Sequence, residues 1–230
     1  ILEIESEKVT GRLALEVDLG DTTMVYASYT RGFKPGGSNL TFGREAVVSP
    51  IVVLPVFEEE TIDAYELGLK TDLMDGRMRL NGAAFFYTYD NLQYQATDPE
   101  VFQGGVGNIP ESEIMGAELE LGAFLSDSLI FDARLAWLDT EITSSHLALD
   151  NVASEAATNA LLAQGLNLFS PEIERARASQ IADVQGNELA KTPGFTANLA
   201  LTYSHSLPAW GNIEGTISYT HRGDFRHRIF

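Results

Sequence analysis

The amino-acid sequence predicts an all-β fold, the antiparallel wall of a transmembrane β-barrel made of about eight strands. Three observations lead there. Long segments alternate polar and apolar residues with a period of two, the mark of strands with one apolar face. The connections between them alternate strictly between short and long. No run of about 18 apolar residues is present to cross a membrane as a helix, whereas a barrel strand needs only about 10 residues of alternating polarity.

In chain order, the first strand is predicted at Arg12–Leu19, where Leu13, Leu15, Val17 and Leu19 alternate with Arg12, Glu16 and Asp18. Thr22–Arg31, Thr61–Asp72 and Arg77–Tyr89 follow with less pure alternation. In Ile114–Phe124, Ala117, Leu119, Leu121 and Ala123 oppose Glu118, Glu120 and Gly122. In Ser128–Asp139, Leu129, Phe131, Ala133, Leu135 and Trp137 oppose Asp132 and Arg134. Thr196–Ser204 and Asn212–Arg222 complete the set. All exceed the usual length of about five or six residues in globular sheets.

Gly20–Asp21, Asp72–Gly76, Leu125–Asp127 and Leu207–Gly211 are tight connections, whereas Gly32–Glu60, Asn91–Glu113 and Thr140–Pro193 are long. Compact soluble folds seldom carry loops beyond about 12–15 residues. Outer-membrane barrels place short turns on the periplasmic side and long loops outside. In the longest loop, Asn151–Ala163 reads as a helix stopped by Gly165, and Ser170-Pro171-Glu172 as the start of a second, with an N-cap serine and proline at the first position.

Composition narrows the function. The 230 residues include no cysteine, so neither a disulfide scaffold nor a cysteine metal site is available. The 33 acids against 15 bases give a formal charge of −18, which would repel a phosphate backbone and so argues against a nucleic-acid partner. The chain opens at Ile1 with no signal peptide, as expected of a fragment or of a chain whose leader was removed.

In a barrel the apolar face meets lipid and the polar face lines the interior; in a soluble sandwich the same apolar face would be a core. Facing is therefore expected as Glu16, Arg79, Glu118, Glu120, Asp132 and Arg134 inward, with Leu15, Leu119, Leu135, Leu199 and Ile217 toward lipid. Tyr29, Tyr65, Trp137, Tyr203 and Tyr219, near strand ends, fit interfacial girdles and fit ordinary core aromatics equally well.

A set of short motifs carries a resemblance. Tyr26-Ala27-Ser28-Tyr29-Thr30-Arg31-Gly32-Phe33-Lys34-Pro35-Gly36-Gly37 is followed by Glu58-Glu59-Glu60-Thr61 and Tyr65-Glu66-Leu67-Gly68-Leu69-Lys70. Then come Gly76-Arg77-Met78-Arg79-Leu80-Asn81, Phe85-Phe86-Tyr87, Leu92-Gln93, Gly116-Ala117-Glu118-Leu119-Glu120, and Gly186-Asn187-Glu188-Leu189 with Lys191-Thr192-Pro193. In this order the sequence resembles the barrel of TonB-dependent outer-membrane receptors over nearly its whole length. The resemblance implies a bacterial outer-membrane barrel of about 22 strands with a plugged lumen. Residues 1–230 would be part of that one barrel domain, lacking the plug and the final strands. It also implies a ferric siderophore or similar scarce solute as ligand, outer-membrane lipid around the wall, and energy coupling to TonB through a plug segment absent here.

Candidate contacts for that ligand are Arg31, Phe33 and Lys34 at a loop base, where Arg and Lys suit anions, with Tyr89 and Gln93 at loop base and lumen. Their rival role is structural, as anchors at the rim. No catalytic constellation, resident metal or cofactor is expected, and hence no enzyme. His221, Asp224 and His227 are a weak metal candidate, more simply read as solvated loop residues. Gly36-Gly37 after Pro35 is a turn, since a phosphate loop needs a strand before it and a helix after it. The function expected is TonB-coupled uptake; the alternatives are a passive porin and a soluble β-rich binding or adhesion module.

Topology adds one expectation. The first connection, Gly20–Asp21, is short, and Asn212–Arg222 follows another short turn, so both ends of the sheet fall on the long-loop side. A finished small barrel would have them on the other side. The first and last strands should therefore be open edges of a curved sheet, not partners of one another.

Overall fold

The computed structural model describes residues 7–39, 56–97 and 104–230. Its elements in order are β1 Gly11–Asp18, β2 Thr23–Lys34, β3 Gly37–Ser38, β4 Val56–Phe57, β5 Glu60–Leu73, β6 Met78–Thr97, β7 Gly104–Ser126, β8 Leu129–Ile142, β9 Leu147–Leu149, α1 Asn151–Leu162, α2 Pro171–Ala178, β10 Ile181–Asp183, β11 Phe195–Leu207 and β12 Gly211–Arg222. Eight of the strands form one antiparallel sheet in the order β1-β2-β5-β6-β7-β8-β11-β12. These are the eight predicted segments, each paired with its neighbour in the chain. The sheet is open: β1 and β12 are its edges and do not pair with one another.

Register fixes the two faces, because directly opposed residues share one. One rung runs Leu15, Ala27, Leu67, Ala84, Ala117, Trp137, Phe195, and the next Val17, Val25, Leu69, Gly82, Leu119, Leu135, Ala197. That face is apolar. It is also exposed on the inner strands, with Leu67 at 64% and Trp137 at 44%, which no packed sandwich core would allow. On the opposite face, Asp18, Met24, Lys70, Asn81, Glu120, Arg134, Asn198 and Thr220 form one rung. Asp18, Lys70, Asp72, Arg79 and Asn81 of the polar face line a hollow of about 710 Å³ at the short-turn end. Facing is thus as the alternation predicts. In β11 the outward residues Phe195, Ala197, Leu199, Leu201 and Tyr203 span nine residues, at the short end of the about 9–11 that a tilted membrane strand needs, and His205 and Leu207 continue the row toward the short turn.

Aromatics mark the long-loop boundary of that face. Tyr29, Tyr65 and Phe86 share a rung, with the Tyr29 and Tyr65 rings 5.2 Å apart. The next outward rung carries Arg31, Asp63, Thr88, Glu113 and Glu141, where charge replaces apolar surface. Tyr219 differs from expectation: it stands opposite Leu199, within the apolar face and not at its rim.

The second long loop is corrected. Asn91–Glu113, a long connection in the sequence, instead carries β6 and β7 on as a paired hairpin, from Leu92↔Ile109 to Thr97↔Gly104. Asn91 takes φ 56° opposite Pro110, whose missing N–H leaves a gap in the ladder. Beyond it, Leu92 and Tyr94 pack with Ile109, Ile114 and Ile142. The even-numbered residues of β6 face outward up to Thr88, so the left-handed Asn91 breaks the alternation. The middle of the first long loop, 40–55, and the tip of the second, 98–103, lie outside the described residues.

The buried apolar core sits at the long-loop end, in Ile109, Ile142, Ala148, Val184, Leu189 and Ile229. Both helices are where the sequence puts them. Asp150 caps α1 by accepting from the Val152 and Ala153 amides, each at 3.0 Å. Ser170 occupies the N-cap of α2, but its side chain makes no capping bond.

Candidate functional site

The polar face is a ladder of charged and polar side chains held in pairs. Arg79 forks onto Asp72 through Nε at 2.7 Å and Nη2 at 2.9 Å. Arg134 lies 3.6 Å from Glu120. Tyr26 donates to Glu66 at 2.6 Å, and Lys70 lies 5.6 Å from the centre of the same ring. Thr220 donates to Asn198 at 3.0 Å. Together they make a polar wall.

Two glycines keep this wall thin. A Cβ on Gly68 would enter the Tyr26 ring, and one on Gly116 would meet the Phe85 ring and, at 2.7 Å, the Trp137 carbonyl oxygen. In each case an aromatic ring lies over the bare backbone.

At the long-loop end, side-chain amides clamp the first loop to the second. Gln93 donates to the Pro35 and Glu58 carbonyls at 3.0 and 3.1 Å, and its own amide N–H donates to Glu60. Asn108 accepts from the Glu58 amide and donates to the Glu58 and Asn91 carbonyls. Asn39 exchanges a donor and an acceptor with the Val106 backbone, as a strand would.

The five residues predicted as ligand contacts do not form one cluster. Arg31 and Phe33 belong to the outward rungs above the aromatics, and Arg31 approaches Asp63 at 3.8 Å, beside the Tyr29 hydroxyl that donates to the same carboxylate. Tyr89 shares the inward rung of Gly32, Ile62 and Ser112, and Lys34 pairs with Glu60 on β5. Gln93 is occupied by the loop clamp. His221 and His227 do not meet: one ring is tilted against Phe195 and the other lies edge-on to Phe225. Among the described residues, no three His, Asp or Glu side chains are grouped to hold a metal ion.

Sequence reading passed over a polar pair in the loop core. Tyr94 Oη and His146 Nε2 are 2.8 Å apart. Burial pushes the Tyr94 phenol up to about 12, so the phenol is the donor and the ring nitrogen the acceptor. Asp183 receives the Ser145 hydroxyl and the His146 and Gln185 amides, which hold its carboxyl below the usual range. Burial lowers His146 below its ordinary 6.5, partly offset by the nearby Asp183. The resulting stability is present in full above about pH 6.5 and is lost as pH falls through the lower folded value. The Val184 amide, bonded to the His146 carbonyl, should therefore lose hydrogen-exchange protection at pH 5 relative to pH 7.5. A His146→Gln protein should show no such pH step; an unchanged step would assign it to another group. No motif marked this pair, since Tyr94 and His146 are 52 residues apart.

Comparison with known proteins adds the following. A family model described as TonB dependent receptor-like, beta-barrel matches residues 4–228. The siderophore receptor PiuA of Acinetobacter baumannii is 27% identical over 142 residues, which are 61% of this chain and 18% of that protein. The metal-pseudopaline receptor CntO of Pseudomonas aeruginosa is 27% identical over 119 residues, 52% of this chain and 15% of that one. Among solved structures, the ferric yersiniabactin uptake receptor FyuA from Yersinia pestis superposes with a TM-score of 0.61 at 16% identity, covering 94% of this chain and 26% of its own. BauA, the ferric preacinetobactin receptor of A. baumannii, gives 0.57 at 17% identity, over 93% of this chain and 25% of its own. At such identities the structures attest the fold alone. The chain spans less than a fifth of the length of these two sequence relatives.

Proposed function

The chain belongs to the TonB-dependent receptor β-barrel family, whose barrels sit in the outer membrane, and on that premise we propose that it is one sector of the wall of a TonB-coupled receptor for a scarce metal chelate. The observation that carries this is the reach of the family match, 4–228, through the whole eight-stranded wall. The family is one of receptors and transporters.

Physics supports a larger barrel. The edge strands β1 and β12 each pair on one side only. Backbone groups left unpaired in hydrocarbon cost several kcal/mol each. In the membrane, further strands of the full protein would satisfy them. The wall then supplies a rigid polar passage, the clamped loops capture the ligand, and a plug pulled by TonB opens the way. In this reading Tyr89 and Lys34 are the ligand contacts on the passage side. Arg31 and Phe33, on the outward rungs, sit at the membrane boundary.

Uptake of a radiolabelled ferric chelate by cells carrying the full-length receptor tests this. Without TonB, uptake should drop to background while binding at the cell surface persists. Uptake that continues unchanged and scales only with solute size and concentration would indicate a passive porin.

A further inference from the structure

Beyond Asn91 the β6–β7 hairpin is tied to its two neighbours by different chemistry. Side chains alternate along a strand, so Gln93 points one way and Leu92 and Tyr94 the other. Toward the first loop the links are carboxamides: Gln93 and Asn108 donate to the Glu58 carbonyl, and Asn39 pairs with the Val106 backbone. A carboxamide stays neutral at any physiological pH. Toward the third loop the link is the apolar core, where Ile109 of the hairpin is buried with Ile142, Ala148, Val184, Leu189 and Ile229. The polar contact there, Tyr94 to His146, contains a group that titrates.

His146 lies just before β9, and its carbonyl accepts from the Val184 amide just after β10. With the β9–β10 pairing this makes one strap that carries the ring to Tyr94. A hollow of about 590 Å³ lies at the same place, lined by Tyr94 and Ala96 of the hairpin and by Ala148 and Leu149 of the strap. Lys191, His227 and Arg228 also line it, and no carboxylate does. The Lys191 amide donates to the Arg226 carbonyl at 2.7 Å and Asn187 Nδ2 to the Ile229 carbonyl at 2.8 Å, so the segment after β12 is anchored to the end of the third loop.

We propose that β9 and β10 form an acid-released latch on this hollow: protonation of His146 frees the strap from Tyr94 and opens the hollow, while the first loop stays clamped to the hairpin. The two partners of the ring belong to different bodies. Neutral, the ring accepts from the phenol of the hairpin. Protonated, it can only donate, and the carboxylate that attracts it, Asp183, belongs to the strap itself. The hairpin side offers no carboxylate in exchange, and Lys191, His227 and Arg228 bring positive charge only. Burial holds the ring below its ordinary 6.5, so the closed latch is favoured in full above that pH and loses ground as pH falls. Six buried aliphatic side chains outweigh one charge, so the strap opens and recloses, and acid raises the open fraction. The latch is independent of what the receptor carries.

The test is thiol access in the full-length receptor in lipid bilayers. Ala148→Cys places a thiol on the hollow wall, at a residue 2% exposed in the closed strap. Its rate with a methanethiosulfonate reagent is divided by that of Glu172→Cys, exposed on α2, which removes the reagent's own pH dependence. From pH 7.5 to pH 5 the ratio should rise by about 3- to 30-fold, the ceiling being about ten-fold per pH unit below 6.5 for one proton. Over the same range the Val106 and Glu58 amides, which donate to Asn39 and Asn108, should keep their hydrogen-exchange protection once intrinsic rates are corrected. With His146→Gln the ratio should stay flat. Tyr94→Phe, which removes the phenol donor, should raise the ratio about five-fold already at pH 7.5, the worth of one neutral hydrogen bond. A flat ratio in the wild type, an unchanged rise in His146→Gln, or a Tyr94→Phe ratio equal to wild type at pH 7.5 overturns the latch. Loss of Val106 and Glu58 protection together with the rise overturns it too, since the loops would then be loosening as a whole.

Discussion

Replacing Leu199 by lysine should destabilise the barrel by about 2–4 kcal/mol, the cost of a lysine at the bilayer midplane on a lipid-facing strand. Leu199 stands in the outward row of β11 between Ala197 and Leu201, with Phe195 and Tyr203 beyond them on either side. Its cross-strand neighbours are Ala133 and Tyr219, neither of which carries a charge to neutralise an ammonium group in hydrocarbon. Lysine in place of Asn198, one residue away, should cost far less. Asn198 is on the polar face between Arg134 and Thr220, where water reaches it. The measurement is urea unfolding of the full-length receptor in lipid bilayers, wild type against the two variants. Equal tolerance at the two positions would remove lipid from the apolar face.

Gly116→Ala should destabilise by about 1–3 kcal/mol through overpacking, and Phe85→Ala should not rescue it. The added methyl would meet both the Phe85 ring and the Trp137 carbonyl oxygen, and only the ring can be removed by mutation. Gly68→Ala should cost a similar amount, yet there the nearest obstacle is the Tyr26 ring, a side chain that can be removed. Tyr26→Ala in the same chain should recover most of that loss, less what the hydrogen bond to Glu66 contributes. The two double variants, compared in the same unfolding assay, separate a backbone clash from a side-chain clash. Recovery in both would mean that β8 can shift away from β7 at Trp137.

The motif residues Gly116-Ala117-Glu118 acquire a physical reason here. Glycine is where β8 comes too close for a side chain, alanine faces lipid, and glutamate faces the wet wall. The reason was not visible in the sequence, because the obstacles at Gly116 are Phe85 and Trp137, distant along the chain. The same holds for the loop clamp. Gln93, Asn108 and Asn39 read as ordinary polar loop residues until the carbonyls of Pro35, Glu58 and Val106 are brought beside them. Likewise Lys191, His227 and Arg228 are dispersed basic residues until the anchored segment after β12 gathers them around one hollow.

By itself the sequence determined the eight wall strands, their order, their facing and the open edges of the sheet. Successive residues of a strand point to opposite faces, so lipid and water write their demands on alternate positions. The parity of short and long connections then places both chain ends on one side. Tertiary structure alone decided how far β6 and β7 continue past the membrane. Their extensions, Leu92–Thr97 and Gly104–Glu113, lack a clean alternation because they are not divided between lipid and a wet interior. They are strands because each satisfies the other's backbone, and no pattern within either segment reports that pairing. The flip at Asn91 has the same origin: an asparagine tolerates φ 56° anywhere, and only the proline opposite makes that conformation useful.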